Sequence, residues 1–430
     1  MPRRLPPELV DKAISYYVDI SEDWNRASIR GFALVSRDWA AICRPHIFRE
    51  IRINKRRASQ FFALLQTTPA IGIVVKRVMF DGRDKHRKRT GLSWLASALS
   101  SLHKYLPNIN DVRISYADIR RPKDAVDWTT ALYPLLETME FVRTLAFEST
   151  SASIAIFQEL SCTFPNLDCV TLVECDFQVG DHDRKTTYAR SPIFRQLYVD
   201  WYGNEWTEST DAWPSTSLDQ FVPFLLTAEP NRSLRSLKLD VCREHLRSVV
   251  SLLDQLGSRL EELILQVKIN ESDNDEYPGP ITLNSNTNLK HLTLAVPKLD
   301  DNYWEWTTTI SSTHLRRLEY HLIFDETDFT ALASELTKPI FSGLDELTFV
   351  CLTVCGTEDP DPEIRANVEN YIPTFMNRHG HDVLRFKNAK WDYSAEPYDV
   401  FDDEDRSFSY NDEVWDSWDG GDEEEDEEIN

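Results

Sequence analysis

One pattern constrains this chain more than any other. The motif apolar-x-x-apolar-x-apolar recurs ten times, as Val75/Val78/Phe80, Ile109/Val112/Ile114, Val142/Leu145/Phe147, Leu167/Val170/Leu172, Phe194/Leu197/Val199, Leu234/Leu237/Leu239, Leu260/Leu263/Leu265, Leu289/Leu292/Leu294, Leu315/Leu318/Tyr320 and Leu344/Leu347/Phe349. A weaker copy follows at Val383-Leu384-Arg385-Phe386. Counted on the last apolar residue, the intervals are 34, 33, 25, 27, 40, 26, 29, 26 and 29 residues. One such match is what any half-buried strand produces; ten at a nearly constant period signal a structural repeat. Each copy reads as a short strand whose alternate residues enter a core. Helical spacing lies between several copies, in Leu92–Leu102, Leu246–Leu256 and Phe329–Leu336, the last behind Thr327-Asp328 as a helix start. A strand and a helix repeated every thirty residues bury their apolar faces only by stacking. This resembles the leucine-rich-repeat family in its irregular long form, over roughly residues 70–390. The resemblance implies an α/β fold in which residues 54–390 form a leucine-rich-repeat solenoid. The Asn or Cys that follows the strand in that family is mostly absent; Cys175 and Cys242 each stand three residues past a strand leucine and fill that slot.

The residues before the repeats behave differently. Leu5-Pro6-Pro7-Glu8-Leu9 opens a helical apolar spacing that continues to Ala13 and Ile14, with Pro at the helix start. Asp19–Ser28 is polar, and a second apolar segment runs from Ile29 to Cys43. Leu5-Pro6-x-Glu8-Leu9-x-x-x-x-Ile14, Leu34-Val35-Ser36-Arg37-x-Trp39 and Arg44-Pro45-x-x-Phe48-x-x-Ile51-x-Ile53 resemble the F-box, the helical module of ubiquitin-ligase substrate receptors. The stretch around Ile20–Arg26 is longer than usual in that family, and Ala13 stands where a larger aliphatic residue is common. The resemblance, to fungal F-box proteins with a leucine-rich-repeat-like C-terminal domain, implies a helical F-box over residues 1–53. It also implies a Skp-type adaptor and a cullin scaffold as partners. The expected adaptor contacts are Leu5, Pro6, Leu9, Ile14, Leu34, Val35 and Trp39. Beside the resemblance stands a physical reason: fifty residues make a poor solitary core, so part of this apolar surface wants a partner.

Charge is unevenly placed along the 430 residues, whose net charge is -24. Residues 1–90 hold 19 Lys/Arg against 9 Asp/Glu, including the basic run Arg83–Arg89. Residues 399–430 hold 16 acids and one Arg and end in Asp422–Glu428, so residues 391–430 are expected to be an acidic disordered tail, with Trp415 and Trp418 set among the acids. The overall acidity argues against nucleic acid as a general partner. No run of 18 apolar residues is present and no apolar stretch follows the N-terminus. The expectation is therefore a chain of the cytosol or nucleus with no membrane partner, its seven Cys held as thiols.

Chemistry is sparse. No G-x-S-x-G, G-x-x-x-x-G-K-[ST], H-E-x-x-H or G-x-G-x-x-G motif occurs. Cys351-x-x-x-Cys355 and His379-Gly380-His381-Asp382 lack the second ligand pair a zinc site needs. The expectation is a binding subunit without a catalytic site, cofactor or metal. Its protein substrate is expected on outward strand positions, Tyr198, Lys238, Thr293 and Glu319, and on Trp201, Tyr202, Trp206 and Trp213. These four aromatics lie in the 40-residue interval, about a dozen residues longer than its neighbours. Exposed Trp and Tyr are frequent anchors of protein interfaces.

Overall fold

A computed structural model describes residues 6–20, 24–83, 89, 94, 105–119, 140–178, 193–200, 221–222, 225, 233–242, 245–268, 281–295, 303–322, 330–353, 362–380 and 383–390. The chain divides after Arg49 into two compact units. The first carries three helices, α1 (Pro7–Ile20), α2 (Trp24–Ala33) and α3 (Arg37–Phe48). The second begins with β1 (Glu50–Asn54), α4 (Ala58–Thr67), α5 (Pro69–Val74), β2 (Arg77–Asp81), β3 (Asp111–Ser115), β4 (Asp118–Ile119), β5 (Thr144–Glu148) and β6 (Ser151–Ser153). It continues with α6 (Ile154–Thr163), β7 (Cys169–Val173), β8 (Asp176–Gln178), β9 (Gln196–Asp200), β10 (Ser236–Cys242), α7 (Leu246–Leu256), β11 (Glu262–Lys268) and β12 (His291–Ala295). It closes with α8 (Tyr303–Thr308), β13 (Arg317–Leu322), α9 (Thr330–Leu336), β14 (Glu346–Thr353), α10 (Pro362–Tyr371), α11 (Pro373–His379) and β15 (Leu384–Lys390).

Twelve strands form one parallel sheet in chain order, β1-β2-β3-β5-β7-β9-β10-β11-β12-β13-β14-β15. The register is set by the apolar motif. Leu237 pairs with Leu263, Leu263 with Leu292, Leu292 with Leu318, Leu318 with Leu347 and Leu347 with Leu384, one residue per strand. A slip by one residue would turn every buried side chain to the other face. The first apolar residue of each motif lies outside the strand and is also buried, as with Val75, Val142, Phe194, Leu260, Leu289 and Leu315.

Between that anchor and the strand sits a residue whose carbonyl accepts two N–H groups from the next level. The Lys76 carbonyl takes Asn110 and Asp111 at 2.9 and 3.2 Å, the Arg195 carbonyl takes Arg235 and Ser236 at 2.8 and 3.0 Å, and the Arg316 carbonyl takes Asp345 and Glu346 at 2.8 and 3.0 Å. The same fork occurs at Asn110, Arg143, Asp168, Arg235, Glu261 and Lys290. The levels from β3 to β14 in the large sheet are thus each keyed to their predecessor at the point where the strand begins.

The fold corrects the expected class. It is an α/β fold built on one large parallel sheet; neither a leucine-rich-repeat solenoid nor a helical F-box is evident in it. A strand–helix solenoid returns through a helix after every strand. Here the residue after β3, β5 and β7 takes a left-handed backbone, at Tyr116 (φ 52), Ser149 (φ 45) and Glu174 (φ 51). The chain then bends straight into a second, three-stranded parallel sheet, β4-β6-β8. The described residues that lead into β12, 281–290, hold two short turns and no helix. Where helices do occur, local signals explain them. Alpha-7 presents Leu246, Val249, Leu252, Leu253 and Leu256 to the core and ends at Gly257, whose φ of +51 suits a residue without a Cβ. Ser153 caps α6, accepting the Ile156 N–H at 3.2 Å. The Leu92–Leu102 helix and the acidic tail fall outside the described residues, apart from Trp94.

Candidate interaction surfaces

In the helical unit, Val10, Ile14, Ile29 and Cys43 form the core, with Phe32, Ala33, Trp39, Ile42 and Ile47 packed against it. Ser36 caps α3 by accepting the Trp39 N–H at 3.2 Å. The Trp39 and Phe32 rings lie 6.0 Å apart. His46 Nε2 is 3.0 Å from Asp11 Oδ1, tying α3 to α1. Burial raises the Cys43 thiol pKa, so it stays protonated and inert.

The expected adaptor residues are therefore sorted by the fold. Ile14 is only 3% exposed and belongs to the core, because α1 turns Val10 and Ile14 inward together. That corrects its assignment as a contact residue. Trp39 is half-buried and supports α3 from within. Pro6 is exposed, and Leu9, Leu34 and Val35 are 56%, 87% and 65% exposed. Leu5 lies outside the described residues. Leu34 and Val35 form the turn between α2 and α3, which is held by N–H donation to the Gly31 and Phe32 carbonyls at 3.1 Å each. A hydrogen-bonded corner that holds two large aliphatic side chains in water forgoes about 1.5–3 kcal/mol of burial for each.

On the large sheet, side chains opposite the core line up across the strands. One row reads Thr171, Tyr198, Lys238, Ile264, Thr293, Glu319, Thr348 and Arg385, about 4.8 Å apart. The structure therefore brings Tyr198, Lys238, Thr293 and Glu319 onto one face, each half-buried. The Lys238 ammonium lies 4.7 Å from the Tyr198 ring centroid, and the Tyr198 hydroxyl donates to Asp200 at 3.4 Å. Trp201, Tyr202, Trp206 and Trp213 lie outside the described residues.

Glu319 is the most engaged of the four. Burial alone would raise its pKa, but His321 Nε2 donating at 2.7 Å and Lys387 Nζ at 3.4 Å hold the carboxyl below its ordinary value. A carboxyl depressed in the folded state contributes stability above its unfolded pKa, and that contribution is lost as pH falls through the folded value. Glu319→Gln should therefore lower the melting temperature at neutral pH and leave the difference from wild type shrinking on acidification. A scan of melting temperature from pH 7 to the acid limb checks this.

At the first strands the same face carries an ion-pair network. Arg52 meets Asp81 at 2.7 Å, and Arg77 meets Glu50 at 3.1 Å and Asp111 at 2.6 Å. Arg113 meets Asp111 at 3.5 Å and Glu148 at 3.1 Å. Burial works against the Arg113 charge, yet the Asp111 and Glu148 carboxylates raise its pKa. At the starts of β9–β12 an open groove of about 710 Å³ is lined by Ile193, Arg195, Arg235, Glu261, Lys290 and His291, among others. Its charges are largely matched, Arg235 and Lys290 both approaching Glu261.

Three residues escaped the sequence reading. Asn108, Asn166 and Asn288 each precede a motif's first apolar residue and donate from Nδ2 to the carbonyls of Ile73, Glu140 and Ser258 at 2.8, 2.8 and 2.7 Å. Each acceptor stands two residues before the preceding motif. The signal was present in Pro107-Asn108-Ile109, Pro165-Asn166-Leu167 and Thr287-Asn288-Leu289, on the side of the strand opposite to the expected Asn. Cys175 does follow a strand; its thiol donates to the Phe147 and Val173 carbonyls, and burial raises its pKa.

Among the described residues no group of three or more His, Cys, Asp or Glu is placed to hold a metal ion, and no helix is long and apolar enough to cross a membrane. Compared with known proteins, the chain matches no family model and no curated protein.

Proposed function

We propose that this chain is the substrate-recognition subunit of a Skp–cullin–F-box ubiquitin ligase. Its N-terminal helices would bind the Skp-type adaptor, and its large sheet would bind a protein substrate, with the chemistry left to other subunits. The observation that supports this most is the α2–α3 corner. Leu34 and Val35, within the sequence segment that resembles the adaptor-binding module, are held in water by the hydrogen-bonded turn. The row of Tyr198, Lys238, Thr293 and Glu319 offers the mixed aromatic, charged and polar chemistry that suits a polypeptide.

The test separates binding from folding. Leu34→Asp with Val35→Asp changes two exposed side chains, so stability should stay within about 0.5 kcal/mol. Recovery of the adaptor in co-purification should fall at least about tenfold. A double variant that retains the adaptor fully would overturn the proposal, leaving a non-catalytic interaction scaffold as the reading of the chain.

A further inference from the structure

The sheet ends at β15, Leu384–Lys390, which pairs with β14 on one side only. Among the described residues no strand lies beyond it. Alternate backbone N–H and C=O groups of such a strand point away from its neighbour and are free to pair with another chain. Seven residues make a long edge, enough for a full set of main-chain bonds.

The side chains give the edge a sign. Beta-15 reads Leu-Arg-Phe-Lys-Asn-Ala-Lys, with three basic residues and no acid, in a chain whose net charge is -24. Arg385 and Lys387 are both exposed and, by register with Thr348 and Val350, lie on the face opposite the core. Lys387 reaches Glu319 at 3.4 Å. Arg385 has no ion-pair partner among the described residues. The inward side of the strand is secured: Phe386 stacks on Phe349 at 5.9 Å, and the Arg365 guanidinium lies 5.7 Å from the Phe386 ring centroid. The opposite edge of the sheet differs. Beta-1 is five residues long, and its charges are spent within the sheet, Glu50 on Arg77 and Arg52 on Asp81.

We propose that the open edge of β15 takes up an extended acidic segment of a partner polypeptide as a thirteenth strand. Main-chain pairing would supply affinity, and Arg385 with Lys387 would select carboxylates at alternate positions of the incoming strand. The inference stands on the edge and its charge, independently of the ligase reading.

The probe is a fluorescein-labelled decapeptide of alternating Glu and Val, titrated onto the full chain and followed by anisotropy. Two controls accompany it, a Lys–Val peptide and a Glu–Val peptide with two central prolines. Saturable binding of the Glu–Val peptide is expected, with both controls at least about tenfold weaker, because one lacks the charge and the other the strand. Hydrogen exchange should slow at the amides of residues 384–390 when the peptide is bound. Arg385→Glu should weaken binding by about tenfold and Arg385→Ser by less. No binding of the Glu–Val peptide, equal binding of the proline peptide, protection confined to other residues, or an unchanged affinity in Arg385→Glu would each overturn the proposal.

Discussion

Arg113→Met should destabilise the large sheet by about 3–5 kcal/mol, among the largest single effects expected in this chain. The Arg113 side chain is 9% exposed and stands between Asp111, 10% exposed, and Glu148, 16% exposed. Removing the guanidinium does not merely delete two contacts. It leaves the Glu148 carboxylate held by the Ser115 hydroxyl at 2.9 Å, and Asp111 relying on Arg77 at 2.6 Å. Uncompensated buried charge costs more than the pair contributes when it is intact. Chemical denaturation of the variant checks the size of the loss. A double change of Arg113 and Glu148 to apolar residues of similar volume, which leaves Asp111 paired with Arg77, should recover much of it and so distinguishes stranded charge from lost packing.

Phe157→Ala should cost a similar 3–5 kcal/mol, for a different reason. Phe157 in α6 is fully buried and meets three other rings. Phe177 and Phe221 are both 5.3 Å away and Phe147 is at 5.7 Å. Phe177 and Phe221 also stack on one another at 5.1 Å. These rings come from β5, α6, β8 and a residue ahead of β10, so the cavity would open where both sheets and a helix converge. Phe157→Leu should cost clearly less, because it keeps much of the volume. Paired urea titrations with an unchanged m-value would show that packing, and not a change in the unfolded state, is responsible.

The core of the sheet was legible because its signal is redundant. Leu237, Leu263, Leu292, Leu318 and Leu347 each repeat the same message at the same motif position, and the register aligns them. What followed the strands was not legible. Nothing in Tyr116, Ser149 or Glu174 as residue types announces a left-handed backbone, since none is Gly or Asn. The second sheet was therefore hidden, and a helix was expected after each strand. The Asn bridges stand before the strand, whereas the family's Asn follows it, so the resemblance does not point to them. In the helical unit, Leu9 and Val10 are adjacent apolar residues and periodicity alone leaves open which one faces in. The burial of Val10 with Ile14 decides it, and it removes Ile14 from the expected contacts while leaving Leu34 and Val35 outside.

The carbonyl forks and the chain-order sheet together have a consequence for synthesis. Paired strands are also successive strands of the sheet: Ile51 pairs with Val78, 27 residues on, and Leu197 with Leu237, 40 residues on. Each strand of the large sheet after β1 therefore finds its partner already made, and from β3 to β14 its starting residues are caught by a carbonyl that is already in place. Such local closure suits vectorial assembly, in which the nascent chain advances one level at a time and no strand waits for a distant mate. At every stage the growing structure ends in one unsatisfied edge, which the next level covers.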